Sequence, residues 1–301
     1  MDQQQRINPW SQLAILLGLC SVGMIASTLL MGIISRFVLH IPVEALPETL
    51  LKPEYGALNR AFQLVSTFLV MAFPAFALWV ILRRSPSREL GFSKYLSATQ
   101  IVLVLLIMGA GILLGGSLAT LNKLIPVPEN AAVFFTTLEE EYDKNIMAIA
   151  NMKNGMEFVI SLTILAFFPA MFEEMFFRGA LQPVMQGITK KPFIAIIITS
   201  VLFSVLHLSF YGFLTRLFLG IILGYIFYIS KNLWLCVLAH FINNAFALTF
   251  LFIENSRGGI TKESVNDDYP MYYGIPAAVL IIFLFTYYKK ESSKVLQNCP
   301  Q

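Results

Sequence analysis

Long apolar runs, broken by short polar stretches, dominate the chain. Eight of them approach the ~20 residues that a helix needs to cross hydrocarbon: Gln12 to Ser35, Ala61 to Leu82, Thr99 to Leu121, Phe158 to Leu181, Phe193 to Phe210, Phe213 to Ile229, Leu233 to Ile253 and Tyr272 to Tyr287. A backbone group left unpaired in a bilayer is costly, so spanning segments are helices unless they close into a barrel. The period-two alternation of barrel strands is absent. The pattern predicts an all-α, polytopic membrane helix bundle of about eight transmembrane helices. No internal repeat, low-complexity tract or Gly/Pro-rich linker divides it, so residues 1–301 read as a single membrane domain.

The first run follows Asp2 and Arg6 and exceeds the ~7–15 residues of a secretory-signal core, so it reads as a retained helix. The longest interruption, Asn122 to Glu157, carries Glu139, Glu140, Glu141 and Asp143, then Lys144 and Lys153. A solvated loop is expected there, with a short amphipathic surface helix as the alternative.

Composition agrees with a bilayer setting. The chain is 57% hydrophobic and 13% charged, against about 25% charged in soluble domains. A soluble enzyme, a nucleic-acid reader and a disulfide-stapled secreted domain are set aside. Cys20, Cys236 and Cys299 show no paired spacing. The net charge of +3 matters less than its distribution. Alternation of the spans sorts the loops into a basic set (Arg6; Arg83, Arg84, Arg88, Lys94; Lys190, Lys191; Lys231; Lys289, Lys290, Lys294) and an acidic set (Glu44, Glu48, Glu54; Glu139 to Asp143; Glu263, Asp267, Asp268). Lys and Arg accumulate in cytoplasmic loops, so both termini are expected in the cytoplasm.

The informative positions lie inside the spans: Glu173, Glu174, Arg178, His207, Arg216, His240 and Asn244. A charge at the centre of a spanning helix costs about 2.5–3.5 kcal/mol on insertion scales, so these groups must face one another or a polar intramembrane cavity. Glu174 and Arg178 stand at i,i+4 and can pair. Glu173 is turned about 100° away, which leaves it free for proton transfer. Phe203 and His207 share a face one turn apart, as do His240 and Asn244, whose imidazole and carboxamide can both donate hydrogen bonds. Asn243 points elsewhere on its helix, and His40 is expected at the surface. Each pair also has a purely structural reading: an ion-paired cluster, a satisfied packing histidine, or interhelical hydrogen bonds.

In order, Glu-Glu-x-x-x-Arg, Phe-x-x-x-His and His-x-x-x-Asn on separate apolar helices resemble the CPBP family, which comprises type II CAAX prenyl endopeptidases, bacteriocin-processing proteases and Abi-type membrane proteins. The resemblance covers roughly residues 158–250, a catalytic core within the single domain. It implies that Glu173 and His207 activate a water and that His240 and Asn244 form the oxyanion pocket. Glu174 and Arg178 would orient the acid, with Phe203 packed beside the imidazole. It further implies a glutamate-type intramembrane endopeptidase without a cofactor, acting on a peptide or lipidated protein. That substrate would be prenylated (CAAX-type) or resemble a bacteriocin or signal peptide. Membrane lipids are expected partners and nucleic acid is not, and the family's breadth points to a bacterial inner membrane.

Three other readings stay open. Two histidines and a glutamate can ligate zinc, although His-Glu-x-x-His is missing. A non-catalytic scaffold or immunity protein could keep the cluster for packing, and a small-solute or proton-coupled transporter also uses buried Glu and His. Arg216 has no counterpart in the motifs. Its expected course is to snorkel to the outer interface, with pairing to a substrate carboxylate as the alternative. Depth raises a conflict: at ~1.5 Å per residue from the predicted cytoplasmic helix ends, Glu173 lies about 12 Å deep, His240 about 10 Å and Asn244 about 17 Å, but His207 about 21 Å. Either the start of the fifth span is misplaced, or that helix tilts or begins beyond the membrane surface.

Overall fold

Helices form over every predicted apolar run in the structure, a computed structural model that describes residues 7–150, 152, 154–257 and 270–298. Asp2, Arg6, Lys153, Glu263, Asp267, Asp268 and Cys299 lie outside the described residues. Seven helices are long and apolar enough to cross a membrane: α1 (Pro9–Leu39), α2 (Pro53–Ile81), α3 (Ala98–Lys123), α5 (Gly155–Thr189), α7 (Phe213–Ser230), α8 (Leu233–Arg257) and α9 (Met271–Gln297). Between them lie α4 (Glu129–Ala150) and the shorter apolar α6 (Pro192–Val205). No strand occurs among the described residues. The outer faces are apolar: Leu17, Ile25 and Leu29 of α1 and Ile275, Val279 and Ile282 of α9 are all exposed. A water-soluble surface does not present such continuous apolar faces, and this is an integral membrane protein.

Local chemistry accounts for the helix ends and irregularities. Ser97 caps α3 reciprocally with Gln100. Proline lacks an N–H and its ring crowds the carbonyl four residues back, and three prolines inside long helices are each preceded by a π-helical turn. These turns span Phe68–Ala72 before Pro74, Leu162–Phe167 before Pro169 and Phe177–Leu181 before Pro183. In α5 the N–H of Phe168 bonds the carbonyl of Thr163, five residues back rather than four. The straight segment Phe168–Phe176, which carries Glu173 and Glu174, is thus framed by two wide turns.

Three expectations are corrected. The 122–157 stretch is largely a 22-residue helix rather than a solvated loop. Its half-buried positions Phe135, Leu138, Tyr142 and Ile146 make a helical stripe, interleaved with charges that disguised it. The fifth run stops being helical at Val205, five residues before its predicted end, because residues 206–212 form a turn. Leu208 adopts a left-handed conformation there (φ 52°). Ser204 Oγ donates to the Phe213 carbonyl (2.7 Å), and Asn122 clasps the turn by donating to the Phe210 carbonyl and accepting from Leu214 N–H (2.9 Å each). The fourth run continues past Leu181 to Thr189 because its polar residues Arg178 and Gln182 are buried and hydrogen-bonded to α7 rather than marking an end.

Charge segregates by end. Asn232, beside Lys231, donates to the carbonyls of Ser93 and Tyr95, and Gln100 at the start of α3 donates to Ser292 near the end of α9. The basic loops therefore share one end of the bundle. At the other end Glu44, Glu48 and Glu141 border one cavity.

A close helix approach surrounds Gly220 and Gly224 of α7. A methyl group at 220 would come within 2.9 Å of Ser200 Cβ and 3.0 Å of Ser200 Cα on α6. Small residues four apart let transmembrane backbones meet. Gly220→Ala is expected to lower stability by about 1–3 kcal/mol, the usual cost of overpacking, read as a reduced thermal unfolding midpoint in detergent. Gly18→Ala, where an added methyl meets nothing within 4 Å, should not lower it.

Candidate active site

Construction of the site starts from the most deeply buried charge. Arg178 is 1% exposed and Glu174 0%. Arg178 Nη1 donates to Glu174 Oε1 at 3.1 Å, and Nη2 donates to the Gly220 carbonyl at 3.0 Å. One turn further along α5, Gln182 Nε2 donates to the Gly224 carbonyl at 3.1 Å. A polar ridge at 174, 178 and 182 thus lies against two glycine carbonyls of α7, which have no side chain to shield them. The guanidinium also lies over the Phe203 ring (5.1 Å) and the Phe177 ring (5.7 Å).

Glu174 Oε1 additionally accepts from His240 Nδ1 at 2.8 Å. A carboxylate only accepts, so Nδ1 carries the hydrogen. The other ring nitrogen, Nε2, lies 3.8 Å from Glu173 Oε2. Glu173 differs from its neighbour: its side chain is 17% exposed, and Oε2 has no hydrogen-bond partner within the protein. Adjacent carboxylates are therefore divided between an internal ion pair and a cavity wall, as the helical offset predicts.

That cavity, about 1060 Å³, is lined by Glu173, His207 and Asn244 together with Gln63, Glu141 and Tyr142. It lies toward the end that gathers the acidic loops. His207 follows the end of α6, and its Nδ1 is 2.7 Å from the Phe203 carbonyl. Because a carbonyl cannot donate, Nδ1 bears the hydrogen and Nε2 of the neutral ring keeps its lone pair. Phe203 packs against both histidines, with ring centroids 4.7 Å from His207 and 5.6 Å from His240. Asn244 Oδ1 accepts from Asn243 Nδ2 at 3.4 Å, which leaves the Asn244 amide donor for the cavity.

The structure brings Glu173, His207 and Asn244 to one wall and sets His240, with Glu174, Arg178 and Phe203, directly behind it. The depth comparison of Glu173 with His207 changes for a reason other than those expected, while His240, still about 10 Å from the start of its helix at ~1.5 Å per residue, is brought by the packing to 3.8 Å from Glu173. The fifth span starts where predicted; the fourth ends eight residues later, at Thr189. Counted from there at ~1.5 Å per residue, Glu173 lies about 24 Å deep, close to His207. His40 is exposed, as expected. Gly220, Gly224, Gln182 and Tyr142 were missed. The Gly-x-x-x-Gly spacing and the i+4 continuation from Arg178 to Gln182 were their available signals.

Among the described residues, no three His, Cys, Asp or Glu side chains are grouped to hold a metal ion. His240 Nδ1 is turned to Glu174 and His207 Nδ1 to a carbonyl, so Nε2 is the one ring nitrogen of each histidine with a lone pair to offer a ligand.

Residues 155–246 match a family model described as Type II CAAX prenyl endopeptidase Rce1-like. The match is consistent with the CPBP family that the three motifs resemble. No curated protein and no solved structure gives a significant match.

The two glutamates should separate in stability measurements. Arg178→Met strands a buried carboxylate and is expected to cost about 3–5 kcal/mol, seen as loss of folded protein or a much lower unfolding midpoint. Glu173→Gln removes no internal hydrogen bond at Oε2 and should cost about 1 kcal/mol or less.

Proposed function

We propose that the chain is a glutamate-type intramembrane endopeptidase, cleaving a peptide bond in a membrane-associated, prenylated (CAAX-type) protein terminus. A bacteriocin-like or signal-peptide-like substrate is the alternative. The observation that carries this reading is the pairing of two proton acceptors on one cavity wall: among the described residues neither Glu173 Oε2, with His240 Nε2 at 3.8 Å, nor His207 Nε2 accepts a hydrogen bond. Amide hydrolysis needs a base for water, an acid for the leaving amine and donors at the developing oxyanion. Glu173 and His207 take the first two tasks. Asn244 Nδ2 and His240 Nε2 take the third. Since His240 Nδ1 already donates to Glu174, its part as oxyanion donor requires a hydrogen on both ring nitrogens. Glu174 and Arg178 hold His240 in register, and Phe203 fixes both imidazoles.

Residues 158–250 form the catalytic core of one membrane domain in this reading, and no cofactor takes part. The shared end of the basic loops favours cytoplasmic termini, which directs the cavity mouth to the opposite side.

Glu173→Ala is the decisive variant. The expected result is normal insertion and folding, with peptide cleavage reduced by about 10²–10⁴, the range for a lost general acid or base. The assay is a purified protein reconstituted in lipid and given farnesylated and unlipidated peptides. Unchanged cleavage by the variant would refute the assignment. Chelators are expected to leave the wild-type rate unaltered, and inactivation reversed by zinc would establish the metal-dependent reading instead.

A further inference from the structure

Arg216, in the first turn of α7, is a cation that the proposed machinery does not use. Among the described residues it has no ion pair, although Glu139, Glu140, Glu141 and Asp143 all stand on the neighbouring α4. Glu139 is engaged elsewhere, accepting from Ser209 Oγ through both oxygens at 3.2 Å. The Arg216 guanidinium lies 4.9 Å over the ring of Tyr142, and its Nη1 is enclosed without a hydrogen-bond partner. Gly212 makes room for it, since any side chain there would collide with the guanidinium.

Gly212 ends the turn that carries His207, and Arg216 lies within electrostatic range of the His207 ring. Tyr142, which supports the guanidinium, lines the cavity beside Glu173, His207 and Asn244. An enclosed guanidinium donor with no acceptor calls for an anion, and a planar carboxylate matches its donor geometry.

We infer that Arg216 reads the C-terminal carboxylate of the substrate and so sets how far from the chain end the bond is cut. The inference rests on the endopeptidase reading above. Every peptide with a free end carries this anion. An extended chain covers about 3.3–3.6 Å per residue, so a carboxylate on Arg216 with the scissile carbonyl at Glu173 and His207 leaves only a few residues between them. The released fragment is therefore short. Arg216 positions and selects substrate; it does not touch the reacting atoms.

The test compares one S-farnesyl-cysteine peptide, with three residues after the cysteine, as free acid and as C-terminal amide. The unaltered protein should cleave the acid at least about tenfold better in kcat/KM, the scale of a charge-assisted hydrogen bond in a partly enclosed site. Arg216→Gln should bring the acid-to-amide ratio to about one, and Arg216→Lys should restore part of it; loss of structural support alone would not move that ratio. Equal cleavage of acid and amide by the unaltered protein overturns the inference and leaves the endopeptidase reading standing. Persistence of the ratio in Arg216→Gln overturns it too. Cleavage of neither peptide removes the CAAX-type endopeptidase reading and this inference with it. Should Arg216→Gln fail to fold, competition in the unaltered protein decides: the free-acid tripeptide should inhibit cleavage at least about tenfold more strongly than its amide, and equal inhibition refutes the assignment.

Discussion

The packing of α5 against α6 and α7 is arranged around the burial of one guanidinium. A charge transferred into a low-dielectric interior is tolerated only with a counter-ion and with its remaining hydrogen-bonding groups placed. Arg178 meets the first demand with Glu174, one turn back on its own helix, and the second in part, through Nη2, with the carbonyl of Gly220 on α7, while Nε keeps no hydrogen bond. That second contact reaches across helices and requires a backbone carbonyl unobstructed by a side chain. The demand is repeated by Gln182 at Gly224, so two hydrogen bonds set the register of α5 against α7. The same glycine lets α7 approach Ser200 of α6. One electrostatic requirement thereby orders three helices.

Fixing Glu174 in this way has a consequence for its neighbour. With Oε1 shared between Arg178 and His240, Glu174 is committed to structure. Glu173 is rotated out of the polar ridge and reaches the cavity. The two π turns bracketing the straight segment Phe168–Phe176 bear on this as well. Each adds a residue to a turn and changes which face a later side chain occupies, as π-bulges at functional sites often do. Prolines 169 and 183 are the chemical origin of those turns, because the ordinary hydrogen-bond pattern fails there.

Much of this could be read from the residues. Burial cost alone singled out Glu173, Glu174, Arg178, His207, His240 and Asn244, and helical offsets correctly separated the two glutamates. Interactions through backbone escaped, because a carbonyl acceptor has no letter in the sequence: nothing at Gly220 announces that it receives Arg178. Helix α4 escaped for another reason. Its apolar stripe is one residue wide per turn and crowded by Glu139, Glu140, Glu141 and Asp143, so that hydropathy registers a polar loop. The turn at residues 206–212 failed in the opposite direction, since Leu206, Leu208, Phe210, Tyr211 and Phe213 carry the hydropathy of a span. Only Ser209, Gly212 and the distant Asn122 betray that the backbone has left the helix.

That turn connects the fold to the chemistry proposed for it. His207 lies past the end of α6 and so receives none of the rigidity of a helix interior. Its ring is held by the Phe203 carbonyl, and the backbone that follows it by Asn122 from α3 at Phe210 and by the Ser204 hydroxyl at Phe213. Ser209 is held by Glu139 of α4, while Phe210 packs against Phe135 of the same helix at 4.7 Å. A side chain on a turn is as well positioned as the elements that clasp the turn, and for the base proposed at His207 one of them is an amphipathic helix that also walls the cavity. Helix α4 therefore acts on the site twice, by bordering the space that a substrate would enter and by holding the segment on which His207 stands. Motion of that helix would change access and the geometry of the base together, which makes the extramembrane helix part of the active-site structure.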